Sequence, residues 1–286
     1  MIGVTGATGN LGRLVVEDVL ARGTSPRDVV AIVRDRQKAQ DLIAKGVDVR
    51  VGDYSQPESL RAALNAVTKL LLVSGNDLGR RVSQHQNVVD AARDAGVTLL
   101  IYTSIVNAER TEMQLAGEHQ ATEAIVRASG LPYVLLRNSW YTENYTRNLA
   151  STLERGAMIG SANGGHVSAA ARADYAAAAA AVLTGSGHEN RAYELGGDTA
   201  FSLGEFAEEL SRQSGRRVEY HDLSEAAHAE ALMAAGLPEA VARMVANSDQ
   251  GIKRGDLFTA SGDLHRLIGR PTLPMRDVIA AALARL

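Results

Sequence analysis

Gly6-Ala7-Thr8-Gly9-Asn10-Leu11-Gly12 lies between the apolar stretch Met1-Ile2-Gly3-Val4 and a helically spaced apolar set, Leu14, Val15, Val16, Val19 and Leu20. A dinucleotide-binding turn needs a strand leading in, glycines that let the backbone approach a pyrophosphate, and a helix whose amino-terminal dipole faces the phosphates. All three are present in this order, so the run is read as such a turn. Gly6, Thr8, Gly9, Asn10, Leu11 and Gly12 are its expected cofactor contacts.

Outward from the turn, apolar runs of strand length alternate with helical patterns, which predicts successive β-α-β units and a parallel sheet. Strands are expected near Ile2–Thr5, Val29–Val33, Val47–Val51, Lys69–Val73, Thr98–Thr103 and Tyr133–Leu136. Helices are expected at Leu11–Ala21, Arg36–Lys45, Pro57–Asn65, Val82–Asp94 and Ala116–Ser129, several ending at a glycine such as Gly46, Gly96 or Gly130. The fold class is α/β, a doubly wound Rossmann sheet with a smaller α/β carboxyl-terminal substrate lobe. Residues 1–138, continued by about 166–200, form the dinucleotide-binding domain; 139–165 and 201–286 form the interleaved lobe. After the glycine-rich Gly156–Gly165 come an alanine-rich helix at Asp174–Leu183 and a strand at Ala192–Leu195. Further helices are read at Leu203–Ser214 and Glu225–Ala235, with a strand at Val218–His221 between them. Ser202 with Glu205 forms a capping box for the first of these.

A chain of 286 residues, 45% hydrophobic, can bury a substantial core. With 30 basic and 33 acidic residues and no long run of either sign, nucleic acid is not an expected partner. The absence of cysteine excludes disulfides and a thiol nucleophile and fits a reducing compartment. The longest apolar run, Ala176 to Leu183, is too short to span a bilayer. A soluble cytoplasmic protein without membrane insertion is the expectation.

The second strand ends Val33-Arg34-Asp35-Arg36, about 20 residues after the glycine turn, where NAD-binding proteins carry an acidic residue for the adenosine ribose. Arg34 offers instead a planar guanidinium suited to a 2′-phosphate, so NADPH is the predicted cofactor. Asp35 is open between a ribose hydroxyl and a pairing with Arg36 or Lys38. Asp53 and Tyr54 follow the third strand, where a carboxylate would accept the adenine amino group and a ring would flank the base; a turn or helix cap is the alternative for Asp53. Ser74 and Gly75 end the fourth strand, where small residues let backbone approach the nicotinamide ribose. Thr103, with Ser104, ends the fifth, on the nicotinamide side.

Carbonyl-reducing short-chain dehydrogenases use a Tyr-x-x-x-Lys pair in which lysine lowers the tyrosine pKa. No tyrosine here has a lysine four positions on, and no lysine lies between Lys69 and Lys253. Reducing an ordinary ketone leaves an alkoxide that needs a positioned acid; reducing a quinone or cationic dye gives a delocalised or neutral product. The chemistry within reach is hydride transfer to a planar, electron-poor acceptor held face to face with nicotinamide.

The segments GATGNLG (6–12), VAIVRD (30–35), VRVGDY (49–54), KLLLVSG (69–75), GEHQATE (117–123), LPYVLLRNSWYTENY (131–145), RADYAAAAA (172–180) and YELGGD (193–198) make the chain similar to the NmrA-like family of atypical short-chain dehydrogenases and reductases. Within that family it most resembles the bacterial quinone-reducing type, and also the triphenylmethane-dye reductases. The Gly-x-x-Gly-x-x-Gly spacing points to the same branch. The resemblance runs from the first residue to about Leu267-Ile268-Gly269. It implies an NADPH-binding Rossmann domain, a small lobe forming a pocket for a quinone-like acceptor, and a homodimer. In carbonyl-reducing relatives a lysine stands near the position of His119.

Asn138, Trp140, Tyr141, Asn144 and Tyr145 follow the sixth strand at the carboxyl edge of the sheet, where ligands of open α/β folds bind. Trp140 with the two tyrosines offers walls for a planar acceptor or a packing cluster between lobes. Asn138 or Asn144 would hydrogen-bond an acceptor oxygen. His119 is read either as a proton donor near neutral pH or as a surface histidine salt-linked to Glu118 and Glu123. The other histidines lack metal-ligand spacing, and no metal is predicted. Three functions compete: an NADPH-dependent quinone reductase, a dye reductase, and a redox sensor that binds NADP(H) and signals to a protein partner.

Overall fold

Every residue of Val29–Val33 and of Leu99–Ile105 is buried, and strands apolar on both faces belong inside a sheet covered on both sides. The computed structural model describes residues 1–286 and places both there. The strands are β1 (Ile2–Thr5), β2 (Val29–Val33), β3 (Asp48–Val51), β4 (Lys69–Leu72), β5 (Leu99–Ile105), β6 (Tyr133–Asn138), β7 (Ala157–Gly160), β8 (His166–Val167), β9 (Arg191–Leu195), β10 (Phe201–Ser202) and β11 (Glu219–Asp222). Seven form one parallel sheet in the order β3-β2-β1-β4-β5-β6-β9. The winding reverses between β1 and β4, which opens a crevice at their carboxyl ends.

Helices α1 (Asn10–Ala21), α2 (Gln40–Ala44), α3 (Pro57–Ala63), α4 (Arg81–Asp94) and α5 (Gln114–Ala128) follow the first five strands. After β6 come α6 (Glu143–Thr146), α7 (Leu149–Arg155) and α8 (Arg172–Thr184). On one face α1 and α8 pack together, and the fully buried Ala178, Ala179 and Ala180 let α8 lie close beside Val15 and Val19. On the other face α3, α4 and α5 bury Leu60, Leu70, Val88 and Tyr102. The expected helix Arg36–Lys45 is instead a 3-10 turn, Arg36–Ala39, followed by the short α2. The Arg36 guanidinium turns back onto the Val49 carbonyl of β3. Strand β6 also runs two residues further than the apolar pattern indicates, so Asn138 is its last paired residue, opposite Ile105 and Leu195.

A second apolar core joins Met113 and Leu149 to Phe201, Phe206, Leu210, Ile252 and Ile279. Around it lie α9 (Leu203–Ser214), α10 (Glu225–Ala234), α11 (Glu239–Arg254), α12 (Asp263–Ile268) and α13 (Met275–Leu283). The capping box at Ser202 and Glu205 is formed. The glycine-rich segment contains β7, which pairs with β11; a Cβ on Gly165 would stand 2.5 Å from the Ile252 carbonyl oxygen, so that position accepts only glycine. Helix α12 returns to the sheet, where Leu264 packs against α8 and β9.

The segment Asp256–Thr259 crosses from the second core over the ends of the central strands. Asn107 Nδ2 donates to the carbonyls of Asp256 and Phe258 at 2.9 and 2.8 Å, Ser139 Oγ to Leu257 at 2.8 Å, and Ser168 Oγ to Thr259 at 3.0 Å. Asp174, fully buried at the start of α8, ties down the next stretch through Arg270 at 2.8 Å and the Leu273 N–H at 2.8 Å. No helix is long and apolar enough to cross a membrane.

Candidate active site

The glycine turn has the geometry its sequence requires. Gly6 has φ +58°, and its carbonyl accepts the Gly9 N–H at 2.8 Å. A Cβ on Gly12 would lie 2.4 Å from the Gly6 carbonyl oxygen, so the first turn of α1 presses directly onto the loop. No side chain caps α1, which leaves its first N–H groups for a ligand. Around this point opens a cleft of about 870 Å³. Its walls include Gly6, Thr8, Gly9, Asn10, Leu11 and Gly12 at the turn itself, Arg34, Asp53 and Tyr54 on the β2 and β3 side of the switch point, and Ser74, Gly75, Thr103, His119, Asn138, Trp140, Tyr141 and Asn144 on the β4, β5 and β6 side.

At the β2 and β3 end, Arg34 is exposed and has no protein partner, and Lys38 lines the cleft with it. Asp35 pairs with neither Arg36 nor Lys38. Its carboxylate accepts the Gln37 N–H at 2.9 Å and caps the 3-10 turn. Asp53 is a turn residue, accepting the Ser55 N–H on Oδ1 at 2.8 Å while Oδ2 stays unbonded. The Tyr54 hydroxyl donates to the Val73 carbonyl at 2.8 Å and sits against Thr5 Oγ1, which anchors the ring at the wall. Burial raises the Tyr54 pKa.

Side chains beneath the ends of β4 and β5 fix their loops. Ser74 N–H donates to Thr103 Oγ1 at 2.9 Å and Gly75 N–H to His85 Nε2 at 3.0 Å. Because Nε2 accepts, Nδ1 of His85 carries the proton and donates to Thr122 Oγ1 at 3.0 Å. Arg81, nearly fully buried, donates from Nε to the Gly75 carbonyl at 2.7 Å and lies 3.3 Å from Glu118. Burial first, then the Arg81 charge, holds the His85 pKa down at about 3.

His119 is not the surface histidine, salt-linked to Glu118 and Glu123, that one sequence reading allowed. It is buried, its Nδ1 is 2.8 Å from the Tyr102 hydroxyl, and neither Glu118 nor Glu123 pairs with it. Burial, followed by the charges of Arg81 and His85, brings its pKa down to about 3. This favours the neutral imidazole at physiological pH, a hydrogen-bonding group rather than an imidazolium acid. In the tautomer in which Tyr102 donates to Nδ1, Nε2 carries the hydrogen and can donate to an oxygen in the cleft.

Asn138 is 5% exposed and its Oδ1 is buried without a partner. A buried orphan acceptor is costly unless a ligand donor satisfies it. Beneath it the buried Arg137 binds Glu123 at 2.6 Å and Glu194 at 2.9 Å, and Ser104 Oγ donates to Glu123 at 2.6 Å. Burial opposes the Arg137 charge, but Glu123, Glu109 and Glu194 outweigh it and raise the pKa.

Trp140 and Tyr141 form the far wall. Tyr141 meets Tyr175 edge to face at 5.4 Å, and the Arg172 guanidinium lies over its ring at 4.8 Å. Asn144 Oδ1 accepts from Arg172 Nη2 at 2.8 Å. Tyr145 does not join them. It points into the second core against Phe206 and Phe201, at 5.5 and 6.0 Å. Tyr141 precedes α6 whereas Tyr145 lies on it, so the two rings take opposite sides. Sequence reasoning missed Lys38, Arg81, Arg147 and Arg172 as cleft residues. For Arg172 a signal existed: an arginine opening a helix opposes the helix dipole and asks for a reason.

The sheet order, the capless glycine turn at the switch point and the cleft beside it define a Rossmann-type dinucleotide-binding protein. The NAD(P)H-binding family model matches residues 6–185, and the chain belongs to that family. It is 46% identical over 280 residues, 98% of each chain, to quinone oxidoreductase 2 of Escherichia coli strain K12. The crystal structure of NADPH-dependent quinone oxidoreductase 2 from Escherichia coli with NADPH matches with a TM-score of 0.96, covering 99% of this chain and 100% of that one. The NADP(H) complex of Citrobacter sp. triphenylmethane reductase matches with a TM-score of 0.94 at 40% identity, covering 99% of this chain and 100% of that one.

Proposed function

We propose that this chain is an NADPH-dependent quinone oxidoreductase. The observation that carries this reading is one continuous cleft that runs from the glycine turn and the unpaired Arg34 to the flat wall of Trp140 and Tyr141. The Escherichia coli relative supports it. The residues fit the cofactor: the first N–H groups of α1 would receive the pyrophosphate, Arg34 and Lys38 the 2′-phosphate, and the Asn138 Oδ1 awaits a donor such as a carboxamide N–H. When bound, NADPH supplies a hydride. Trp140 and Tyr141 hold the acceptor plane and exclude water from it. Neutral His119, through Nε2, and Asn138, through its amide nitrogen, are the polar groups that would orient an acceptor oxygen. Neither is a strong acid, and an aryl oxide product, unlike an alkoxide, needs none.

In this reading residues 1–138 with about 166–200 bind the dinucleotide, and 139–165 with 201–286 close the acceptor side, in a cytoplasmic enzyme. The Citrobacter relative favours a second reading, reduction of triarylmethane dyes, whose central carbon accepts hydride without needing a proton. Loss of the reduced-nicotinamide absorbance, followed with a naphthoquinone and separately with a cationic dye, tests both. Tight NADPH binding with no enzyme-dependent oxidation by either acceptor would refute the reductase function and favour a cofactor sensor.

A further inference from the structure

Two arginines line the acceptor end of the cleft, and reduction of a neutral quinone leaves them unused. Arg147 follows α6 three residues after Asn144, so the two share a helix face. It is exposed and has no ion pair or hydrogen bond within the protein. Arg172 extends the stacking wall over Tyr141. Its charge is partly met by Glu143, whose carboxylate lies 4.0 Å from Nη1 and also takes the Arg172 backbone N–H at 2.9 Å. Two acids line the cleft: Asp53, which follows β3 on the far side of the switch point, and Asp77, in the loop after β4. Asp77 is already paired, with Arg80 at 2.6 Å and Gln84 at 3.0 Å. The wall that receives the acceptor therefore has excess positive charge, and Arg147 is uncompensated.

We infer that the acceptor subsite selects planar quinones bearing an anionic substituent, such as a carboxylate, sulfonate or phosphate, with Arg147 as the principal specificity residue and Arg172 assisting. This rests on the reductase reading. A guanidinium beside an aromatic wall suits an acceptor whose ring stacks while its oxyanion pairs with the fork. The same charge disfavours cationic triarylmethane dyes, because a desolvated like-charge contact opposes binding. The inference therefore separates the two acceptor classes.

The experiment measures kcat/KM at saturating NADPH for a naphthoquinone and for its sulfonate, in the wild type and in Arg147→Gln and Arg147→Glu. The readout is the sulfonate-to-neutral ratio, in which active-enzyme concentration cancels; comparison of that ratio between proteins cancels the acceptors' intrinsic reactivity. We expect the ratio to fall roughly two- to fivefold in Arg147→Gln and further in Arg147→Glu, the magnitude of an exposed ion pair. In the wild type the ratio should also fall as ionic strength shortens the Debye length from about 30 Å to about 3 Å, a measurement that needs no variant. A ratio unchanged by both substitutions and by salt would overturn the inference. So would weakened NADPH binding with an unchanged ratio, which would assign Arg147 to the cofactor. Wild-type protein that binds NADPH yet reduces neither quinone would refute the reductase reading itself, a result distinct from an unchanged ratio.

Discussion

Replacing Arg34 with alanine tests the cofactor assignment directly. The side chain is exposed and bonds to nothing in the protein, so its loss should leave folding intact. A charge-assisted hydrogen bond to phosphate is worth about 1.5–3 kcal/mol, and exposure with solvent screening places this one at the lower end. With about 1.5–2 kcal/mol lost, the NADPH Kd should rise roughly ten- to thirtyfold. NADH lacks the 2′-phosphate, and its Kd should change by less than about twofold on the same reasoning. Lys38 lines the same end of the cleft and keeps the loss from being larger, so the double variant with Lys38→Ala should approach equal affinity for the two cofactors. Calorimetric titration of both nucleotides into both variants measures this. Equal weakening of NADH and NADPH by Arg34→Ala would refute the phosphate role. Asp35→Ala is the companion measurement: as a cap of the 3-10 turn it should cost about 1 kcal/mol of stability, whereas a ribose ligand would lower NADH affinity at unchanged stability.

Gly12→Ala should weaken NADPH and NADH alike by at least roughly tenfold, because its Cβ meets the Gly6 carbonyl oxygen at 2.4 Å and forces the phosphate turn open; unchanged binding by titration would refute the close-packing argument. His85 and His119 have native pKa values near 3 against an ordinary 6.5, so the unfolded chain binds protons that the native state does not. Stability should fall as pH drops through that window, by about 2 kcal/mol per histidine at pH 5. Asp249, pushed up to about 6 from 3.8, has the opposite sign: its stabilising proton is held below 3.8 and lost as pH rises through 6, so it offsets part of this slope. Thermal melts of His85→Gln and His119→Gln should show a shallower acid slope than the wild type, and an identical slope would disprove burial as the cause. Glu123→Ala removes one of the carboxylates around the buried Arg137 and should cost about 3 kcal/mol by denaturant titration; a loss under roughly 1 kcal/mol would show that Glu109 and Glu194 suffice.

The sheet was legible because its information is local. Short apolar runs bounded by glycines mark strands, and a glycine whose Cβ would strike a carbonyl is needed whatever surrounds it. The residues expected to hold the cofactor all line the cleft for the same reason, since they sit in the glycine turn or at the ends of strands. Residues held by tertiary context were not. Arg81, Arg147 and Arg172 reach the cleft through helix phase and helix crossing, which sequence spacing does not encode. Tyr145 looked equivalent to Tyr141 until α6 turned the two apart. Asp35 as a cap was not foreseen, because capping and ligand binding call for the same carboxylate. The helices after Ala235 were overlooked; α11 carries an apolar stripe that ends at Gly255, but α12 and α13 are short and draw their order from the surfaces they cover.

The segment Asp256–Thr259 has a mechanical consequence. It is sewn to residues beyond β5, β6 and β8 by four side-chain hydrogen bonds, and the Asp174 anchors hold the chain again after α12. A lobe fastened across the ends of the central strands cannot swing as a hinged lid without breaking these bonds together. The protein should therefore unfold in a single cooperative transition, and slow amide exchange should extend without a boundary from the parallel sheet into the second core. The shape of the cleft is then set before anything binds.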